Sequence, residues 1–174
     1  MNRIGSLARA IALAGLLVSA GAVATPALAA TAEIEMLKSY LGNWKGKGTL
    51  TGANTETVVC KLALTAGNDD KINYSGRCTL AGSNLAVNGT LAYIVSKKRY
   101  EAAMTSNATF TGIAVGKRQG NGVVFNLRER DTTEGQDMTI SADISLNGGA
   151  INVAFHVVDN KTGDSIRAKV PFAK

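Results

Sequence analysis

From residue 42 onward the apolar positions recur with period 2. Val58, Cys60, Leu62 and Leu64 fall on one side of an extended segment, as do Ile72, Tyr74, Cys78 and Leu80, and Ile151, Val153, Phe155 and Val157. This is the pattern of strands with one buried face. Turn-forming clusters punctuate the alternation at Gly52–Asn54, Gly67–Asp69, Gly82–Asn84, Ser96–Lys98, Ser106–Asn107, Gly120–Gly122, Gly135–Asp137, Asn147–Gly149 and Asn160–Gly163. They delimit ten segments of strand length. No segment past residue 42 carries a helical repeat long enough for a crossover, so successive strands are expected to pair antiparallel. Upstream, Ala32–Leu41 places Ile34, Leu37 and Leu41 at i, i+3 and i+7, with Thr31 as cap and Gly42 as stop. That segment predicts one short amphipathic helix.

Consecutive short antiparallel strands with one apolar face close most simply into an up-and-down β-barrel, here of about eight to ten strands behind a short N-terminal helix. A two-sheet sandwich is the alternative. Lys45 and Lys47, Arg99 and Glu101, and Arg167 and Lys169 lie opposite the apolar face. Such charges are costly against lipid and ordinary against water, so the apolar side chains are expected to point inward. Within the second and third strands, a hairpin centred on Asp69 places Cys60 opposite Cys78, Leu62 opposite Gly76 and Leu64 opposite Tyr74. Both sulfurs then share the apolar face at cross-strand distance, which predicts a Cys60–Cys78 disulfide.

Composition adds a compartment. Residues 1–29 carry Arg3 and Arg9, an apolar run over 10–18, and the small-residue site Ala27-Leu28-Ala29. They read as a secretory leader cleaved after Ala29, leaving 30–174 as one exported domain, periplasmic in a Gram-negative host. The apolar run is shorter than the roughly 20 residues of a spanning helix, so no membrane span is expected after cleavage. An oxidising compartment suits the disulfide, and the pair lacks the Cys-x-x-Cys spacing of redox thiols. Losing Arg3 and Arg9 lowers the formal charge from +6 to +4, and Lys97–Arg99 and Lys117-Arg118 are sparse clusters. Nucleic acid is therefore not an expected partner. One His and two Cys cannot complete a zinc set, Gly116–Gly120 joins strands rather than opening a helix, and Arg128–Asp131 with Glu134 and Asp137 lacks an EF-hand spacing. No buried acid–base pair or nucleophile is legible, so neither cofactor nor catalysis is expected.

Leu41-Gly42-Asn43-Trp44 opens the first strand with the chain's only Trp, followed on the same side by Gly46 and Gly48. Gly42-Asn43-Trp44 resembles the Gly-x-Trp signature of the calycins, the lipocalin and fatty-acid-binding superfamily. The longer Leu41-Gly42-x-Trp44-x-Gly46-x-Gly48 is similar to the opening of nitrobindin-like haem-binding barrels. The resemblance covers about ten residues and the strand count. It implies a basic residue from the last strand across the Trp ring, for which Arg167 and Lys169 are the candidates. The nitrobindin likeness implies a haem-ligating His inside the barrel, but His156 alternates with the apolar face of its strand and is expected to point outward. The expected function is that of a non-catalytic carrier of a small apolar ligand. Its lining would comprise Trp44, Leu62, Tyr74, Val87, Leu91, Tyr100, Met104, Phe110, Phe125, Met138, Ile140, Phe155 and Phe172, with room left by Gly76, Gly89, Ala102, Gly112 and Ala142. The alternatives are an envelope structural or interaction protein with a filled core, and a haem-binding barrel.

Overall fold

A computed structural model describes residues 26–80, 83–107, 111–132 and 135–174. Most of the segment read as a leader, up to residue 25, lies outside the described residues, as do the lining candidate Phe110, Gly82 and Glu134. Helix α1 (Pro26–Lys38) is followed by strands β1 (Gly42–Thr51), β2 (Thr55–Ala66), β3 (Ile72–Leu80), β4 (Ser83–Ile94) and β5 (Arg99–Ser106). Strands β6 (Thr111–Gln119), β7 (Gly122–Asp131), β8 (Met138–Asn147), β9 (Ala150–Asp159) and β10 (Ser165–Ala173) complete the chain. Each strand pairs antiparallel with the next, and β1 pairs with β10. The described residues thus form a closed barrel of ten strands, and the sandwich alternative falls. Closure leaves no unpaired edge.

The helix differs from its expectation at both ends. It runs Pro26–Lys38 rather than 32–41, so Thr31 lies within it rather than capping it. Pro favours the first helical position and Ala favours its interior, and together they extend the helix into the segment read as a cleavage site. At the C-terminal end, Tyr40 N–H donates to the Leu37 carbonyl at 3.1 Å and Leu41 N–H to that of Lys38 at 3.0 Å. The chain then enters β1 through Gly42 at φ +130°.

The β2–β3 register pairs Cys60 with Cys78, Leu62 with Gly76 and Leu64 with Tyr74, and the two cysteines are bonded. The turn between them seats Asp69 and Asp70 in the left-handed region, at φ 53° and 59°. Asp tolerates that conformation better than most side chains. The inner face holds the core, with Trp44, Tyr100, Phe125, Ile72, Leu146 and Ile151 almost fully buried. Gly46 is required in this packing: a Cβ there would stand 2.7 Å from Val170 Cγ1 and 2.9 Å from the Phe172 ring.

Candidate ligand-binding site

The two ends of the barrel are built differently. At the end where β1 begins, α1 lies across the opening and buries Leu37 and Tyr40 against the core. Trp44 fills the space beneath. Its Nε1 donates to the Tyr40 carbonyl at 3.0 Å, and its ring stacks on that of Tyr40 with centroids 6.2 Å apart. Rim contacts fasten the helix. Glu33 accepts hydrogen bonds from the Tyr100 hydroxyl and from Arg118 Nη1, the latter at 2.6 Å, and Lys38 Nζ reaches Asp70 Oδ1 at 2.9 Å. Burial, then the Glu33 carboxylate, pushes the Tyr100 hydroxyl well above its ordinary range, against an opposing pull from Arg118. Burial alone does the same to Tyr74, whose hydroxyl donates to the Ala103 carbonyl at 3.0 Å.

At the other end the inner face stays accessible. Leu85, Val87, Met138, Ile140, Phe155 and Val157 are only half-buried there. The inner register then terminates in carboxylates: Glu56 stands opposite Leu50, Glu129 opposite Ile140, and Asp131 and Asp159 opposite Met138. The β7–β8 loop is clamped beside this mouth. Arg130 grips Asp137 with two bonds of 2.9 and 2.7 Å, and Asn160 Nδ2 donates to the same carboxylate at 2.8 Å. Hydrogen bonds from Arg130, then Asn160, hold the Asp137 carboxyl far below the usual carboxylate range.

Among the expected lining residues, the register puts Trp44, Leu62, Tyr74, Val87, Leu91, Tyr100, Met104, Phe125, Met138, Ile140, Phe155 and Phe172 on one common inner face. They do not form one site. Trp44, Leu91, Tyr100, Phe125 and Phe172 are packed into the closed end, whereas Val87, Met138, Ile140 and Phe155 surround the open one. Of the inner carboxylates at the mouth, Glu129 and Asp131 belong to the charge cluster the sequence displays, whereas Glu56 and Asp159 were missed because each stands at a strand end, where alternation merges with the polar turn. The Glu33–Tyr100–Arg118 cluster joins residues too far apart in sequence for any local pattern to connect.

Two resemblance-based placements need correction or restriction. The cation over the Trp44 ring is Lys174, with Nζ 5.0 Å from the centroid, rather than Arg167 or Lys169. Both candidates point away from the core; Arg167 pairs across strands with His156 and Lys169 with Ala154. His156 itself sits on the outer face between Ser141 and Arg167, in a shallow concavity of about 190 Å³. Strand β9 is unbulged through this region, so His156 cannot reach a haem in the lumen. Its Nε2 is buried without a hydrogen-bond partner. A second concavity, of about 500 Å³, lies over β1–β3, bordered by the outward-facing Asn43, Lys45, Lys61, Ala63, Ser75 and Arg77 and also by Trp44, Leu62 and Gly76 between them.

No protein-family model matches the chain, and no curated protein does. Solved structures do. The structure is similar to that of Rv2717c from M. tuberculosis, at 13% identity and a TM-score of 0.60, over 81% of this chain and 97% of that one. It is also similar to the S-type phycobiliprotein lyase CpeS from Guillardia theta, at 11% identity and a TM-score of 0.53, over 79% and 89%. The shared architecture is a closed antiparallel barrel. These likenesses show architecture alone. They nevertheless overturn one expectation: the reading of the chain as a non-enzyme does not stand when a barrel of the same fold is named a lyase.

Proposed function

We propose that the chain is an exported, lipocalin-like barrel that holds a small apolar ligand in the open end of its lumen, with an uncharged or cationic group at the ligand's protruding end. The observation that carries this reading is the asymmetry of the inner face. Val87, Met138, Ile140 and Phe155 are only partly buried around the mouth, whereas Trp44, Tyr100 and Phe125 are almost fully buried toward the end that α1 covers. An apolar concavity with a few polar groups at its edge is the usual form of a small-molecule site. The carboxylates of Glu56, Glu129, Asp131 and Asp159 on the inner register at this edge disfavour an anionic head. Export is supported by the leader features of residues 1–29 together with the disulfide.

The test is native mass spectrometry of protein purified from its own envelope, paired with titration of the neutral dye Nile red. A bound apolar mass, and dye binding that Phe155→Arg or Val87→Ser weakens while His156→Ala on the outer face does not, is the expected result. A bare polypeptide mass with no dye binding would overturn the reading in favour of a filled core. Comparing the ligand's mass before and after incubation shows whether it is only held or also altered.

A further inference from the structure

Among the described residues, five cations have carboxylate partners. Lys38 sits by Glu35 and Asp70, Lys97 and Arg99 by Glu101, Arg118 by Glu33, and Arg130 by Asp137. The outer face of β1–β3 departs from this. Register places Lys45 directly opposite Lys61, and Lys61 directly opposite Arg77. Three cations therefore stand in one row, which at about 4.8 Å between strands spans about 10 Å. Like charges directly opposite one another destabilise a sheet. Among the described residues no carboxylate forms an ion pair with any of the three. The row ends at Ala173 and Ala86, and the adjacent row on the same face is Asn43, Ala63, Ser75 and Asn88, again without an acid. Lys45, Lys61 and Arg77, with Asn43, Ala63 and Ser75, border the concavity of about 500 Å³.

We propose that this row binds a phosphoryl-bearing anion of small-molecule size, either a soluble phosphate ester or the phosphate of a lipid headgroup. The charge and the donors both favour that class. A phosphoryl group brings up to about two negative charges and three acceptor oxygens, against the single charge of a carboxylate. Facing it are two ammonium groups, a guanidinium able to bond in a planar fork, the Ser75 hydroxyl and the Asn43 amide. The site is separate from the lumen, because every side chain in the row points outward.

The test uses calorimetric titration with inorganic pyrophosphate at about 0.15 M ionic strength, and flotation with phosphatidylcholine vesicles with and without phosphatidylglycerol. The proteins are the wild type, Lys61→Gln, Arg77→Gln and the control Lys117→Gln, which removes the same charge from β6. Binding is expected to weaken about tenfold or more in the first two variants, the worth of one charge-assisted contact. The control should stay within about twofold, as screening predicts for a remote charge. Pyrophosphate binding would identify a soluble ligand, and binding only to phosphatidylglycerol vesicles a headgroup. No binding in either assay, or equal weakening by all three substitutions, would overturn the proposal. Phe155→Arg, inside the barrel, should leave this binding unchanged whatever it does to the lumen.

Discussion

Tyr100 and Tyr74 make stability depend on pH in a direction that can be worked out. Both hydroxyls are held above their ordinary value of 10.0, chiefly by burial, and each is needed neutral as a donor, to Glu33 and to the Ala103 carbonyl. Above that value the unfolded chain releases these protons while the folded chain keeps them. The unfolded state then binds fewer protons, so stability falls as pH rises; below it the contribution is fully present. Urea midpoints measured from about pH 8 to about pH 11 should therefore drop in the wild type. They should drop less in the Tyr74→Phe/Tyr100→Phe double variant, and an identical decline in both proteins would refute this assignment. At the same scale, sequence showed which residues face inward but not which of them meet. Trp44 could be placed at the barrel end from its position after the helix. Its cation could not, because Lys174 follows the last strand and reaches the ring only once β10 has closed on β1.

The β2–β3 hairpin is the element whose geometry was most fully legible in the sequence. One turn of Asn and Asp residues sets its register, and a period of 2 then assigns every position to a face. The bond between Cys60 and Cys78, 18 residues apart, should contribute about 3 kcal/mol by constraining the unfolded chain. Urea unfolding of a Cys60→Ala/Cys78→Ala variant should show that loss with the barrel retained, and an unchanged free energy would mean that the cross-strand packing alone holds the hairpin. The cationic row is an element-scale feature of the same kind. Lys45, Lys61 and Arg77 look unrelated along the chain and align only when the β1–β2 and β2–β3 registers are combined. Helix α1 was the least legible element, since an Ala-rich stretch after Pro26 satisfies a helix and a leader cleavage site equally well. Its barrel contacts, through Glu33 to β5 and β6, depend on non-local closure that no periodicity reports.

At the scale of the whole molecule the proposed cleavage site and the closed end of the barrel share one helix, and this makes export testable without reference to a ligand. Cleavage after Ala29 would cut α1 within its span and leave Ala30 as the new terminus. The contacts that dock the helix all lie beyond that point: Glu33 to Tyr100 and Arg118, Lys38 to Asp70, and the buried Leu37. Leu28, on the removed side, is 66% exposed. Cleavage there therefore costs the barrel none of these contacts, whereas a cut beyond Lys38 would take them away. The intact mass of protein from the envelope fraction should correspond to 30–174, lighter by the two hydrogens lost to the disulfide. Retention of residues 1–29 would refute processing at this site. A terminus beyond Lys38 would instead strip Leu37 and the Glu33 and Lys38 contacts from the closed end, leaving Trp44, Tyr100 and Phe125 as its only cover among these residues.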